Sequence, residues 1–430
     1  MRVSIKTLGC RLNQAESAQY EALFKAAGCQ IVPYGAECEL CVIKSCSVTA
    51  RAESESLRIA RSIKRSQPHV FIVLTGCAVE SLEREKFETL DVDLIVSRAD
   101  KEQLVATTLA AMQTECAEIT HPVHPVFSTH RALLKIQDGC NFFCSYCIIP
   151  YNRGAPVSRT FDECLDEARA FIDAGLQEIV ITGCNIACFE SADKKLPDLI
   201  EAIAALPGLG RVRCGSLEPG TVEIEVAQRM AGNDKICPFL HLPLQHCDDR
   251  ILRSMNRRYT SSEMRGRIEK ILSLVPRVAL GSDIITGFPG EDQSAFNNTK
   301  AFIEDLPFSN LHVFPYSERK GTAALKLQDS VAPALRKERA KELIALGERK
   351  RRDYTASWVG SEVEIIVEKF DKNKAARGWS AQYIPCRISG IAEKAQAGLL
   401  GKQISFTAQS VADNTTLSGS IKNQVQGSQR

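Results

Sequence analysis

Short apolar strands and amphipathic helices alternate along most of this 430-residue chain, and this alternation constrains the fold more than any other feature. Near the N-terminus, the apolar runs Val3–Leu8 and Leu40–Lys44 are each followed by a segment with helical period. Val70–Leu74 and Leu94–Val96 are two further predicted strands, and a predicted helix at Lys101–Met112 follows them. Parallel strands need a crossover connection, which is usually a helix, and such sheets are covered on both faces. We therefore predict an α/β protein whose N-terminal domain, residues 1–118, is a doubly wound parallel sheet.

The alternation resumes at a larger scale after His121–Phe127, where two prolines indicate a linker. Residues 126–354 contain six predicted strands separated by helices, a pattern that predicts an open sheet or a partial (β/α)6 barrel. In such barrels the ligand-binding groups gather at the carboxyl ends of the strands. The predicted strands are Ala132–Ile136, Glu178–Thr182, Arg211–Ser216, Phe239–Leu242, Val278–Ile285 and Asn310–Phe314.

The pattern changes after the charged segment Ala334–Tyr354, which predicts a helix. Glu362–Val367, Ala381–Ser389 and Gln403–Ala408 alternate as strands, and helical periodicity is lacking. We therefore predict a small all-β barrel at residues 357–424. The chain has a net charge of +2, but residues 336–430 hold 17 Lys and Arg against 10 Asp and Glu. This excess indicates a polyanionic partner, although a solvated charged helix and tail would also account for it.

The 17 cysteines are the main anomaly of the composition. No apolar run approaches the ~18 residues of a membrane span, and Met1–Gln14 is too polar for a signal peptide. We therefore expect a cytoplasmic protein without membrane association. Cytosolic thiols are kept reduced, so clustered cysteines in this compartment indicate metal, iron–sulfur or catalytic sites.

Cys140, Cys144 and Cys147 form a tight CxxxCxxC loop directly after the first strand of the central domain. A cubane iron–sulfur cluster normally takes four ligands, so three thiolates leave one iron open for a small molecule. Zinc accepts similar spacings, but a structural zinc site needs a fourth ligand. The nearest downstream cysteine, Cys164, lies inside a predicted helix.

Three further cysteines, Cys10, Cys46 and Cys77, each follow a predicted strand of the N-terminal sheet. In a parallel sheet these loops lie along the same edge, so the three thiols can converge. The spacing therefore allows a second three-cysteine site, and it also allows three small buried residues.

These motifs resemble the radical S-adenosylmethionine (SAM) methylthiotransferase family. The segments that carry the resemblance are Thr7–Asn13, Lys44–Thr49, Leu74–Cys77, Ile136–Cys140 and Ile148–Gly154. The resemblance implies that Cys140, Cys144 and Cys147 hold a catalytic [4Fe-4S] cluster whose open iron binds SAM. It also implies that Cys10, Cys46 and Cys77 hold an auxiliary [4Fe-4S] cluster. One departure is Lys44-Ser45 before Cys46, where the family often has Asn-Thr.

The resemblance extends to the other strand ends of the central domain and to the C-terminal barrel, which by its place in the chain is similar to an RNA-binding TRAM domain. Glu218 as a helix cap and Trp379 as barrel core are the structural alternatives. The expected SAM contacts are Gly183, Ser216, Glu218, Gln245, Asp283 and Gly287. The expected RNA contacts are Lys372, Lys374, Arg377 and Trp379.

The resemblance implies an enzyme that adds a methylthio group to an adenine C2 of tRNA. An aromatic C–H offers no leaving group, so a cofactor radical is needed. The branch that Arg213–Pro219 and Leu311–Ser317 most resemble acts on N6-threonylcarbamoyladenosine and gives its 2-methylthio derivative. Its carboxylate would suit a cationic pocket. The candidates for that contact are Arg153, Arg159, Arg319 and Lys320.

Three alternatives remain open at this point. The substrate could be isopentenyladenosine in tRNA or an aspartate of a ribosomal protein, or the chain could be a zinc-dependent RNA-binding module without catalysis. For the enzyme we expect tRNA and a flavodoxin- or ferredoxin-type electron donor as partners, and a monomeric chain.

Overall fold

Three folded units make up the computed structural model, which describes residues 1–81, 92–114, 123–125, 127 and 129–420. Of the predicted linker His121–Phe127, residues 121, 122 and 126 lie outside the described residues. No helix within the described ranges is both long and apolar enough to cross a membrane.

The N-terminal unit is the predicted doubly wound sheet, with five parallel strands. Its central strand is buried throughout, because Val42 packs into an apolar cluster on one face and Ile43 into a cluster on the other. The strand order is Gln30–Ile31, Arg2–Thr7, Leu40–Ser45, Phe71–Gly76 and Leu94–Val96. The helices are Arg11–Ala26, Ala50–Ser66, Cys77–Ser81 and Leu104–Ala111, the last preceded by a 3-10 turn at Lys101–Gln103.

The central unit is the predicted partial (β/α)6 barrel. Two three-stranded parallel sheets are joined by a bridge between Ser216 and His241. The strands run in chain order as Arg131–Lys135, Glu178–Thr182, Arg211–Cys214, Phe239–His241, Ala279–Thr286 and Phe308–Pro315. The helices are Ile149–Arg153, Phe161–Asp173, Leu196–Ala204, Glu223–Gly232, Asp249–Ser254, Ser261–Leu274 and Gln293–Asp305. Short pairs, Gln137–Asp138 with Val157–Ser158 and Glu190–Ser191 with Lys194–Lys195, and 3-10 turns at Ile186–Cys188 and Ala323–Lys326 complete it.

Helix Pro333–Ala356 leads into the C-terminal unit, which is the predicted small barrel. Its five strands close in the order Glu362–Phe370, Ala376–Ser380, Pro385–Ser389, Thr416–Ser420 and Gln403–Ala412. The expectation that this region lacks helix is wrong at Glu393–Leu399. That helix has no buried residue, so its sequence carries no apolar stripe that periodicity could reveal.

A buried arginine joins the C-terminal barrel to the central one. Arg213 donates from Nη1 to the carbonyl of Ala381 at 2.8 Å and from Nη2 to that of Ser380 at 3.0 Å. Its Nε donates to Oε1 of Glu178 at 2.8 Å, and both side chains are fully buried. The loop after strand Ala376–Ser380 is therefore held against the central sheet by charge-assisted hydrogen bonds.

Candidate active site

The three cysteines of the central loop lie at the end of strand Arg131–Lys135, between it and helix Ile149–Arg153. The loop begins at Gly139, which has φ of 75° and whose missing Cβ would lie 2.1 Å from the carbonyl oxygen of Ala155. Only glycine fits this conformation and this close approach. Burial raises the pKa of Cys147 to about 12, so a bound cation is what would hold its sulfur as thiolate at neutral pH.

Polar side chains from other strand ends face the same loop. Arg257 donates from Nη1 to Sγ of Cys144 at 3.4 Å, and its Nη2 lies 2.9 Å from Oε1 of Glu218. Asn185 donates to Sγ of Cys140 at 3.9 Å. The contacts of Arg257 and Asn185 with these sulfurs could not be predicted from the sequence, because both residues are far from the loop along the chain.

The three N-terminal cysteines lie on adjacent strand ends, as the sequence predicts. Cys10 follows Arg2–Thr7, Cys46 follows Leu40–Ser45 and Cys77 follows Phe71–Gly76. Cys46 and Cys77 are buried, whereas Cys10 is exposed. A Cβ at Gly9 would lie 2.7 Å from Sγ of Cys46, so the first loop passes directly over the second. Burial raises the pKa of Cys46, and the neighbouring sulfurs of Cys77 and Cys10 raise it further.

Neither cysteine group has the compactness of a zinc site. Thiolates bound to tetrahedral zinc at about 2.3 Å lie about 3.8 Å apart. Within the described residues, one group alone brings three His, Cys, Asp or Glu ligand atoms within 4.8 Å of one another, and it contains no cysteine. A cubane cluster, in which each thiolate binds a different iron, does not require the sulfurs to be that close together.

One side chain, Arg153, connects the N-terminal cysteine group to the start of the central loop. Arg153 follows the central loop by six residues, yet its Nε donates to Sγ of Cys77 at 3.1 Å. Its Nη2 donates to Oδ1 of Asn13 at 2.8 Å and its Nη1 to Oδ1 of Asp138 at 2.8 Å. The neighbouring Asn152 donates to the carbonyl of Cys77 at 3.1 Å. From the sequence, Arg153 is predicted only as a contact of the substrate carboxylate and not as a partner of a cysteine.

The buried carboxylate of Glu16 forms ion pairs with several basic residues around Arg153. Glu16 is 2.7 Å from Nζ of Lys44 and 2.8 Å from Nζ of Lys135. Burial opposes the charge of Glu16, but Lys44, Arg153 and Lys135 outweigh it and hold its pKa well below the ordinary value. Lys44, the residue at which the sequence departs from the family pattern, is thus neutralised by a partner. A cavity of about 660 Å³ lies beside this network.

Comparison with known proteins agrees with this geometry. The radical SAM superfamily profile matches residues 134–303, and that of the uncharacterized protein family UPF0004 matches residues 2–97. Threonylcarbamoyladenosine tRNA methylthiotransferase MtaB of Chlamydia pneumoniae is 35% identical over 84% of this chain and 86% of its own. The chain belongs to the radical SAM methylthiotransferase family. It is also 31% identical to tRNA-2-methylthio-N(6)-dimethylallyladenosine synthase of Syntrophus aciditrophicus, over 86% of this chain and 84% of that one.

Among solved structures, the radical SAM methyltransferase TsrM of Kitasatospora setae superposes with a TM-score of 0.55 at 13% identity, covering 75% of this chain and 76% of that one. This likeness supports the fold. The methylthiotransferase family transfers a methylthio group, and its radical SAM domain uses SAM and a [4Fe-4S] cluster.

Two of the predicted SAM contacts line a cavity of about 240 Å³ beside the central loop of this methylthiotransferase. Gln245 and Asp283 share it with Cys147. Gln245 holds φ of 66° while its backbone N–H donates to the carbonyl of Asp283 at 2.8 Å. Ser216 lies against His241, with Oγ 2.8 Å from Nδ1. The SAM roles of these residues stay predictions.

The other predicted SAM contacts have structural partners. Burial raises the pKa of Glu218, and Arg257 opposes the rise. The helix-cap alternative for Glu218 is wrong, because Glu223 accepts the N–H of Thr221 instead, at 2.8 Å. A Cβ at Gly183 would lie 2.9 Å from the carbonyl oxygen of Gln137. At Gly287 it would lie 2.2 Å from Cγ of Arg336, so packing against the long helix requires a glycine there, and its contact with SAM stays a prediction.

The predicted RNA contacts divide into two groups. Lys372 and Lys374 are exposed in the turn after strand Glu362–Phe370, and Lys374 pairs with Glu393 at 2.7 Å. Trp379 is half-buried and stacks on Tyr383, with ring centroids 4.7 Å apart. Arg131 of the central barrel lies over the Trp379 ring, 5.9 Å from its centroid, so this ring faces the junction between the two barrels. Arg377 pairs with Asp371 at 3.0 Å, a carboxylate that it shares with Arg387.

The cations predicted for the substrate carboxylate are paired within the chain. Arg159 pairs with Glu167 and Arg319 with Glu53. Arg153 pairs with Asp138 at 2.8 Å. None of these three arginines is therefore an unpaired cation waiting for a substrate carboxylate.

Proposed function

We propose that this methylthiotransferase converts N6-threonylcarbamoyladenosine in tRNA into its 2-methylthio derivative. The relative from Chlamydia pneumoniae, named for that substrate, is more similar to this chain than the dimethylallyladenosine enzyme, at 35% against 31% identity. The observation that supports the reaction class is the junction at Arg153, which links Cys77 of the N-terminal cysteine group to Asp138, two residues before Cys140 in the central loop.

We propose that Cys140, Cys144 and Cys147 hold the catalytic [4Fe-4S] cluster and that Cys10, Cys46 and Cys77 hold a second one. With SAM bound, these groups supply radical chemistry and a sulfur atom at the auxiliary site. The chain's own residues position them: Arg257 and Asn185 donate to the sulfurs of the central loop, and Arg153 donates to Cys77.

The iron content tests the cluster assignment. Anaerobic reconstitution should give about eight irons per chain, four for each cubane cluster. Replacing Cys140, Cys144 and Cys147 by Ala should remove about four irons and abolish SAM cleavage. Formation of 5′-deoxyadenosine by that triple variant would refute the assignment.

The substrate is tested with tRNA that carries either modification. Reconstituted enzyme, SAM and reductant are incubated with threonylcarbamoyladenosine tRNA or with isopentenyladenosine tRNA, and the nucleosides are analysed by mass spectrometry. We expect a methylthio product from the first tRNA alone. Methylthiolation of the isopentenyl tRNA alone, or of a ribosomal protein and neither tRNA, would overturn the substrate and leave the family assignment intact.

We further propose that the C-terminal barrel binds the tRNA, that the chain acts as a monomer, and that a flavodoxin- or ferredoxin-type protein supplies electrons. The closed five-stranded barrel and the exposed Lys372 and Lys374 support the first point.

A further inference from the structure

Two histidines and an aspartate from three adjacent strands converge beside the cavity that Asp283 lines. His241 ends strand Phe239–His241, Asp283 lies in the next strand and His312 in the one after it. Asp283 and His312 are register partners in the parallel ladder, so their side chains share one face. One ligand atom from each of the three lies within 4.8 Å of the other two.

The distances within this triad match a metal coordination shell. Nε2 of His241 is 3.2 Å from Oδ1 of Asp283, and Nδ1 of His312 is 3.1 Å from the same oxygen. Nitrogen and oxygen ligands about 2.0–2.1 Å from a tetrahedral zinc ion lie about 3.3 Å apart. The two distances to Oδ1 of Asp283 are close to that value without any movement of the backbone.

The imidazole of His241 offers a second, independent indication. The residue is 7% exposed, and its Nε2 has no hydrogen-bond partner despite the nearby carboxylate. Its Nδ1 lies 2.8 Å from Oγ of Ser216. When Nδ1–H donates to that hydroxyl, Nε2 presents a lone pair to the space between the three side chains, which is how a ligating histidine is oriented.

The surroundings leave room for the ring and a path for an ion. A Cβ at Gly281 would lie 2.8 Å from Cδ2 of His241, so a glycine is needed for the ring to lie there. The side chain of His312 is 52% exposed, which opens the triad to solvent. The amide of Asn310, 3.3 Å from Nε2 of His312, can turn its oxygen to accept from Nε2–H and leave Nδ1 free to ligate.

We propose that His241, Asp283 and His312 form a binding site for a divalent transition-metal ion, separate from the two cysteine groups. Imidazole and carboxylate ligands suit zinc and ferrous iron, whereas calcium and magnesium prefer oxygen alone. Three protein ligands leave at least one position for water or for an oxygen atom of a bound molecule.

Zinc binding to the cluster-loaded enzyme tests this site. Reconstituted protein is washed with a chelator under conditions that retain its visible cluster absorption and is dialysed against micromolar Zn²⁺. Zinc is measured by plasma mass spectrometry and by X-ray absorption at the zinc edge. We expect one zinc per chain with a nitrogen and oxygen shell at about 2.0–2.1 Å. His312→Ala should weaken zinc binding at least tenfold.

Two further variants complete the experiment. Asp283→Asn, which removes the charge but keeps the shape, should also weaken binding, whereas His69→Ala removes an exposed histidine far along the chain and should not. Retained cluster absorption shows that each variant is folded. Equal zinc binding by wild type and His312→Ala, a sulfur shell at about 2.3 Å, or no zinc in the wild type would each overturn the proposal.

Discussion

Arg153 makes contacts that belong to two different domains of the chain. Its guanidinium reaches Cys77 and Asn13 in the N-terminal sheet and Asp138 at the start of the central loop. The residue is 6% exposed, and the carboxylates of Asp138 and Glu16 compensate its buried positive charge. At the residue scale, this one side chain ties Cys77 of the N-terminal sheet to Asp138, which precedes the central cysteine loop.

We expect Arg153→Met to destabilise the protein by about 3–5 kcal/mol, because it leaves buried carboxylates without their partner. It should also shift the electron paramagnetic resonance signal of the second cluster proposed at Cys10, Cys46 and Cys77, since the Cys77 thiolate loses its N–H donor. Denaturant unfolding and spectroscopy of the reconstituted variant check both.

Arg169→Met is the matched control, because Arg169 forms an exposed pair with Asp166. That change should cost no more than about 1 kcal/mol and leave the cluster signal unaltered. Equal effects of the two substitutions would contradict the role given to Arg153.

Glu178 predicts a pH dependence of stability. Burial opposes its charge, but Arg213 and Arg211 outweigh it and lower its pKa to about 2 from 4.5. A lowered pKa in the folded state means that the ionised group stabilises the protein above about pH 4.5 and that this contribution is lost as the pH falls toward 2. The difference in unfolding free energy between wild type and Glu178→Gln should therefore be constant near neutrality and shrink below pH 4.5.

Glu201→Gln serves as its control, since Glu201 pairs with Arg229 at the surface. Its difference from wild type should stay small across the same range. A difference for Glu178→Gln that does not change with pH would show that Glu178 is not the titrating group.

At the scale of the element, the central loop depends on the backbone of Gly139. Gly139→Ala would force a Cβ to within 2.1 Å of a backbone oxygen at a positive φ. We expect the variant to lose about four irons and SAM cleavage, because the loop can no longer hold its three cysteines together. Iron analysis after anaerobic reconstitution measures the loss.

Gly266→Ala is the control for this change. Gly266 lies in helix Ser261–Leu274, and nothing lies within 4 Å of an added Cβ. It should keep its iron and gain about 0.5–1 kcal/mol of stability. A Gly139→Ala protein with full iron content would show that the loop tolerates the change.

Elements with strong local signals could be predicted from the sequence. Glu178–Thr182 and Leu94–Val96 are observed with the predicted bounds, because an apolar run bounded by turns marks a buried strand. The strands Gln30–Ile31 and Thr416–Ser420 could not be predicted from the sequence, because they are short and distant strands decide their pairing. The same limit hid the contact between Arg153 and Cys77, which are 76 residues apart.

At the scale of the whole molecule, the C-terminal barrel presents different residues to the chain and to solvent. Trp379 and Tyr383 face the central barrel, whereas Lys372 and Lys374 are exposed. We therefore expect the double change Lys372→Glu and Lys374→Glu to weaken tRNA binding and to lower the salt dependence of the affinity by about two units of slope. Binding is measured by filter retention at several salt concentrations.

The double change Lys194→Glu and Lys195→Glu, on an exposed hairpin of the central unit, is a control with the same total change of charge. It should alter neither the affinity nor its salt dependence. Unchanged affinity in the double variant would remove this turn from the RNA site.

The hydrogen bonds of Arg213 end on the carbonyl groups of Ser380 and Ala381 and not on their side chains. Such hydrogen bonds depend on the position of the backbone at residues 380 and 381 and not on the side chains there. Substitutions at these two positions would keep the hydrogen bonds, whereas an inserted or deleted residue would move the carbonyl groups and leave the buried guanidinium of Arg213 without two of its acceptors. The attachment of the C-terminal barrel therefore depends on the length of this loop, which substitutions alone do not change.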